Sequence, residues 1–294
     1  MLTRRRFLHS TALAALAAQL SRAAEAKPML IGSQLYGWGQ YYARDKKPFN
    51  VDEVLSALRD MGYDYAEHST DPTNLAQASA SFAEKLRAKG LKPISMYSGG
   101  GFHDDKGADT AEKFAKSAKT FREAGFTILV CNPDPIGRAK TEAELETQAK
   151  NLALAGAELK KAGVTLALHH HTPEFVNNAA EYHSNFKKTS PKDLGFCYDV
   201  HWVYRGGNIQ PPEALREYGD RVATWHLRQS REKVWWEDLD TGDIDYTWVG
   251  KYAKEHGLLR NYTVELALEN ATKITRSAVE NHRRSLEFIR KAMA

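Results

Sequence analysis

Residues 142–171, EAELETQAKNLALAGAELKKAGVTLALHHH, contain one complete repeat of the pattern that decides the fold. Apolar residues spaced three and four apart run through 142–162, as in a helix with one buried stripe. Ala162-Gly163-Val164 ends it: glycine takes the left-handed conformation after a helix, and the next apolar residue enters a strand. Residues 164–169 then read as a short strand, and histidines stand where it leaves the sheet. The same joint recurs at Met61-Gly62-Tyr63 and Ala124-Gly125-Phe126.

Outward from this repeat, β-rich runs occupy 30–35, 63–67, 93–97, 127–131, 164–169, 195–199, 222–227 and 262–266. Helical patterns lie at 51–61, 79–89, 111–124, 142–162, 178–188, 212–218, 246–256 and 277–292. The first of these is capped by Asn50 and stopped by Gly62. Eight strand–helix units predict a closed (β/α)8 TIM barrel. An open doubly wound sheet would show a Gly-rich phosphate loop after strand one. Here strand one runs into Tyr36-Gly37-Trp38-Gly39, with no helix expected for about ten residues.

The 294 residues include 41 Lys+Arg, 37 Asp+Glu and two cysteines, with 42% hydrophobic residues. Disorder, collagen-like repeats and a disulfide framework are thereby excluded. Cys131 and Cys197 fall within apolar runs, where small buried cysteines belong. Thr3-Arg4-Arg5-Arg6-Phe7-Leu8-His9 precedes an apolar run, 11–20, too short for the roughly 20 residues of a membrane span. Ala24-Glu25-Ala26 then offers a cleavage pattern. The segment resembles a twin-arginine signal, so 1–26 is expected to be a signal peptide and 27–294 a single barrel domain, periplasmic or otherwise exported. Cleavage removes four basic residues and one acidic one, leaving 268 residues at +1 instead of 294 at +4. A near-neutral chain lacks the broad basic surface that nucleic acid or an anionic membrane would require.

In such barrels chemistry gathers where strands end. The strand ends carry Glu67 and His68, Tyr97, Asn132 and Asp134, then the His169-His170-His171 run with Glu174. Asp199 and His201, His226 and Arg228, and Glu265 complete the rim. Carboxylates and imidazoles converging there suit a divalent transition metal with open positions. Strand alternation puts His169 and His171 on one side and His170 on the other, and gives Asp199 and His201 a shared side.

These positions carry a family resemblance. Residues 168–175, Leu-His-His-His-Thr-Pro-Glu-Phe, are similar to the Tyr-His-Asn-His-Asp-Phe-Glu-Phe signature of one branch of the sugar isomerase/epimerase superfamily of xylose isomerase-like barrels. Residues 194–202 resemble its Gly-x-x-x-Asp-x-x-His region in an Asp-x-His form, and 222–228 its His-x-Lys segment. Thr241-Gly242-Asp243-Ile244-Asp245 resembles the Gly-x-Gly-x-Ile-Asp stretch, and Glu265 the terminal glutamate. The superfamily also contains endonuclease IV-type nucleases, which need a strongly basic face.

The resemblance implies one divalent ion (Mn, Co, Zn, Mg or Fe) held from strands five to eight. Asp199, His226 and Glu265 inherit three ligand roles, and the strand-five ligand is His169 or Glu174. Arg228 replaces the usual Lys and keeps its charge in a planar fork. The chemistry implied is proton abstraction next to a carbonyl, with Glu265 as base and Glu174, His171 or His201 as acid. Glu67, Tyr97, Arg228, Trp202, Trp235 and Trp236 are expected to bind substrate, the last two as a lid. Export and the lack of a phosphate clamp point to an unphosphorylated sugar or keto-sugar. Isomerisation or epimerisation is the expected outcome; alternatives are a 3-keto-glycoside lyase and a non-catalytic sugar-binding barrel. The expected partners are a small-molecule carbohydrate and a sugar oxidoreductase of the same pathway, with no nucleic acid and no membrane after signal cleavage; self-association into a homo-oligomer stays open.

Overall fold

A computed structural model describes residues 29–294, so the expected signal segment lies outside the described residues. Eight parallel strands form the sheet: β1 (Leu30–Gln34), β2 (Tyr65–Glu67), β3 (Ser95–Gly100), β4 (Ile128–Pro133), β5 (Thr165–Leu168), β6 (Leu194–Asp199), β7 (Val222–Leu227) and, after a hairpin, β10 (Asn261–Val264). The hairpin pairs β8 (Ser230–Arg231) with β9 (Val234–Trp235). Sheet order β2-β1-β10-β7-β6-β5-β4-β3 leaves only β2 and β3 to meet. They do so through Lys92 N–H to Asp64 O (2.9 Å), Tyr97 N–H to His68 O (3.0 Å) and Thr70 N–H to Tyr97 O (2.9 Å). The result is the expected (β/α)8 TIM barrel, nearly closed.

The helices are α1 (Tyr36–Arg44), α2 (Val51–Met61), α3 (Leu75–Ala88), α4 (Gly107–Glu123), α5 (Glu142–Lys161) and α6 (Val176–Lys187). They continue with α7 (Val200–Gly206), α8 (Pro211–Tyr218), α9 (Tyr246–Glu255) and α10 (Ala278–Ala292). Local chemistry sets their ends. Asn50 accepts from Glu53 N–H at the start of α2 (3.2 Å), and Gly62 closes it at φ 92°. Thr141 and Glu144 form a reciprocal capping box on α5. The main apolar core lies between sheet and helices, while Ile128, Val130, Ala167, Cys197 and Ala223 fill the lower barrel interior. Cys131 and Cys197 are both buried and free.

Two helices depart from the sequence expectation. α1 begins immediately after β1, where no helix was expected, because tertiary packing outweighs its two glycines. Trp38 is buried, stacks on His282 (4.2 Å) and donates to Ser33 Oγ (3.1 Å). α7 takes His201 out of the strand, so Asp199 and His201 do not share a strand face; Asp199 instead caps α7 by accepting from Trp202 N–H (2.8 Å).

The glycines of α1 differ. A Cβ on Gly37 would stand 2.3 Å from Leu266 O, whereas one on Gly39 would meet nothing within 4 Å. Gly37→Ala is therefore expected to lose about 1–3 kcal/mol by overpacking. Gly39→Ala should gain up to about 1 kcal/mol from helix propensity. Urea unfolding of both variants checks the pair; equal effects would contradict this packing account.

Candidate metal centre at the barrel mouth

Inward positions near the strand ends supply the site: Glu67 on β2, Ser95 and Tyr97 on β3, Asn132 on β4, Asp199 on β6 and His226 on β7. His169 and Glu265 stand one residue past β5 and β10. The direction of His226 depends on an irregularity. Phe196 pairs with Val222 but Cys197 pairs with Thr224, so Ala223 is an extra residue on β7. Such bulges re-aim side chains beside active sites. Beyond it Trp225 and Leu227 join the sheet–helix core, and His226 turns into the barrel.

Donor atoms of His169, Asp199, His226 and Glu265 all lie within 4.8 Å of one another. Two donors bound to one ion at about 2.0–2.2 Å sit at most about 4.4 Å apart, so little contraction is needed. His169 Nε2 lies 3.3 Å from Asp199 Oδ2. His226 is the hub, with Nδ1 2.9 Å from Glu265 Oε2 and Nε2 2.9 Å from Glu67 Oε1. Glu67 is fully buried and accepts from Ser95 Oγ (2.6 Å). It stands behind His226 and does not line the cleft, contrary to the expected substrate contact. Carboxylates commonly back metal-binding histidines in this way.

The charges fit a dication. Burial pushes the His169 imidazole well below its ordinary pKa, helped by His226. Burial disfavours charge on His226 too, yet Cys197, Glu67 and Glu265 hold it well above its ordinary value. Burial would raise Glu265, but Arg228 and His226 keep its carboxyl well below the usual carboxylate range. Asp199 is raised, burial outweighing the Arg228 guanidinium. Arg228 is buried, with Nη2 3.7 Å from Asp199 Oδ2 and 3.9 Å from Glu265 Oε2. Glu67, Asp199 and Glu265 against Arg228 leave two negative charges to compensate once His226 loses its proton. A divalent ion would supply that compensation.

Above the cluster opens a cleft of about 320 Å³ lined by Gln34, Tyr36, Ser69, Tyr97, His169, His171, Trp202, Arg228, Trp235, Glu265 and Ala267. The Arg228 guanidinium lies 4.1 Å from the Trp235 ring centre and 5.1 Å from that of Trp202. Trp235 comes from the β8–β9 hairpin, whose turn residues Glu232 and Lys233 are both left-handed. Asp243 holds that turn, accepting from Glu232 N–H (3.0 Å), Lys233 N–H (2.8 Å), Ser230 Oγ (3.1 Å) and Tyr204 OH (3.0 Å). Sequence reading missed this role of Asp243, and that of Ser95. Trp236 stands outside the cleft lining: its backbone N–H donates to Gln229 O (2.9 Å) and its ring lies under Arg231 (4.0 Å).

The remaining candidates separate. His171 lines the cleft, and His170 turns away among Tyr182, Phe186 and Phe196. His201 is buried in α7 against Trp202, Tyr204 and Trp235, away from the cleft lining. Burial pushes both His171 and His201 down to about 3, so neither is an imidazolium acid at neutral pH. Glu174 is buried and stands outside both the donor cluster and the cleft lining. The 3-10 turn Thr172–Phe175 folds its carboxylate back, where it accepts from His171 N–H (2.8 Å) and Asn132 Nδ2 (3.0 Å). His169, rather than Glu174, is thus the donor that follows β5 in the cluster. Burial and the charge of Glu181 raise the Glu174 carboxyl to about 7.

Residues 55–292 match the model of the xylose isomerase-like TIM barrel family. An inosose dehydratase from Geobacillus kaustophilus (strain HTA426) is 26% identical over 224 residues, 69% of this chain and 68% of that protein. A sugar phosphate isomerase/epimerase from Parabacteroides distasonis ATCC 8503 superposes with a TM-score of 0.72 at 21% identity, covering 92% of this chain and 96% of that one. A 3-keto-D-glucoside 4-epimerase from E. coli superposes with a TM-score of 0.67 at 14% identity, covering 90% and 98%. At these identities the two solved structures speak for the fold alone. The family match spans most of the chain, which therefore belongs to the xylose isomerase-like TIM barrel family.

Proposed function

We propose that this protein is a divalent-metal-dependent sugar isomerase or epimerase that removes a proton next to the carbonyl of an unphosphorylated sugar or keto-sugar. The observation that carries this is the buried His169–Asp199–His226–Glu265 cluster at the floor of a cleft walled by two tryptophans. A divalent ion there would polarise a carbonyl and an adjacent hydroxyl and lower the cost of removing the proton between them.

The chain's own groups divide the remaining work. Glu265 is ionised and acceptor-only, the state from which a base starts. Arg228 Nε and Nη2 are buried without a hydrogen-bond partner, and the guanidinium charge beside the cluster would offset charge growing on a substrate oxygen. Neutral His171, on the cleft wall, accepts a proton on one ring nitrogen and gives one up from the other. Glu174 holds the His171 backbone from behind and is a positioning residue. Trp202 and Trp235 put apolar ring surface on the cleft wall, where sugar C–H groups would pack. Arg228 is the only cation among the described cleft-lining residues, and two carboxylates already share it; this supports a substrate without phosphate.

A second reading, elimination of a leaving group as in a 3-keto-glycoside lyase, draws support from the dehydratase relative. Both share the first proton removal. In the lyase the C–H electron pair becomes the double bond and the leaving oxygen departs with a proton. A sugar oxidoreductase would supply the keto group, and the expected export signal would put both in the same compartment.

Incubation of the Mn-loaded protein with keto-sugars and 3-keto-glycosides in deuterated water tests the reading. Solvent deuterium should enter next to the carbonyl, and Glu265→Gln should slow its entry by about 10²–10⁴-fold. No deuterium in any product or recovered substrate would overturn it. Glu174 gives a pH prediction. Its folded pKa of about 7 exceeds an unfolded value near about 4.3, so its ionisation costs the folded state stability between those pH values. The Glu174 contribution to stability should therefore fall from pH 5 to pH 8, against the opposite contribution of the buried neutral histidines. Glu174→Gln should make the change in stability from pH 5 to pH 8 more favourable than in the native protein by about 1–3 kcal/mol in urea titrations. An unchanged slope would contradict it.

A further inference from the structure

We propose that the cleft continues into an apolar groove that seats the aromatic or alicyclic aglycone of a glycoside while its sugar ring lies over the metal cluster. This rests on the sugar reading above and narrows its substrate class. The groove, about 300 Å³, is lined by Leu35, Gly39, Ala43, Phe49 and His68, and it shares Tyr36 and Ser69 with the cleft. The shared bar is fixed. Gln34 Nε2 donates to Ser69 Oγ (3.0 Å), and Gln34 Oε1 accepts from Tyr36 N–H. Because Tyr36 and Ser69 border both spaces, the groove is the adjoining apolar space for a substituent on that side of the sugar ring.

Three independent features suit an apolar occupant. Four large hydrophobic residues are strongly exposed among the described residues, and two of them, Tyr36 (57%) and Phe49 (37%), flank this groove. Water-facing aromatic groups beside a cleft signal a binding surface. Gln40, which also borders the groove, has its amide occupied: Nε2 donates to Leu268 O (2.9 Å) and Oε1 accepts from Leu268 N–H (2.7 Å). It therefore adds little free polarity. Gly39 is the third feature. Glycine costs a helix about 1 kcal/mol relative to alanine, and no packing contact requires it here. What its missing side chain preserves is open groove. Burial lowers the pKa of His68, which favours the uncharged ring as an aromatic wall.

The test compares phenyl and methyl β-D-glucosides, and the same pair of β-D-galactosides, binding to the metal-loaded protein by calorimetry. Phenol alone serves as control. The phenyl glycoside of at least one pair should bind about tenfold more tightly than its methyl partner, or about 1.4 kcal/mol. Gly39→Leu, which fills the groove, should bring that ratio close to one, and Phe49→Ala should lower it. Equal affinities in the native protein would overturn the groove while leaving the sugar reading intact. A ratio that survives Gly39→Leu, or phenol binding as tightly as phenyl glycoside, would also overturn it. Failure of every glycoside to bind would overturn the groove as well, while the sugar reading is decided separately by deuterium entry into keto-sugars.

Discussion

His226 lies between two carboxylates, Glu265 2.9 Å from Nδ1 and Glu67 2.9 Å from Nε2, with Asp199 and Arg228 completing a buried charge group. Burying a charge costs several kcal/mol unless partners repay it in good geometry. Much of the barrel mouth answers that demand. Ser95 holds Glu67, the first turn of α7 holds Asp199, and the guanidinium of Arg228 lies beside two indoles. The Nε and Nη2 atoms of Arg228 are buried without hydrogen-bond partners in a residue that borders the cleft.

The same demand explains the irregular segments around the rim. The extra residue Ala223 changes the phase of β7 so that His226, not Trp225, reaches the interior. The β8–β9 hairpin accepts two left-handed non-glycine residues because Asp243 satisfies both their backbone N–H groups. In return Trp235 is carried over Arg228 and becomes a cleft wall. The β8–β9 hairpin beside the cleft is thus ordered by polar contacts to Asp243 as well as by packing of its tryptophan.

Most of this architecture is legible in the sequence because it rests on local rules. Gly62, Gly125 and Gly163 mark helix ends at φ 92°, 102° and 77°, and the strands follow at the expected places. The convergence of His169, Asp199, His226 and Glu265 follows from strand ends sharing one barrel mouth. What local rules miss are features set at a distance. α1 forms because Trp38 packs on His282, more than 200 residues later. Glu67 looks like a rim residue until the neighbouring strands bury it behind His226. Glu174 matches a motif position but is turned back by the Thr172–Phe175 turn, and Trp236 differs from Trp235 only through the hairpin.

The measurement that bears most directly on this account is the metal content of the purified protein after loading with Mn, Co or Zn and removal of free ion. One shared centre predicts about one equivalent per chain in the native protein, with a sharp loss in Asp199→Asn at unchanged circular dichroism. Less than about a tenth of an equivalent in the folded native protein, or full retention in Asp199→Asn, would contradict it.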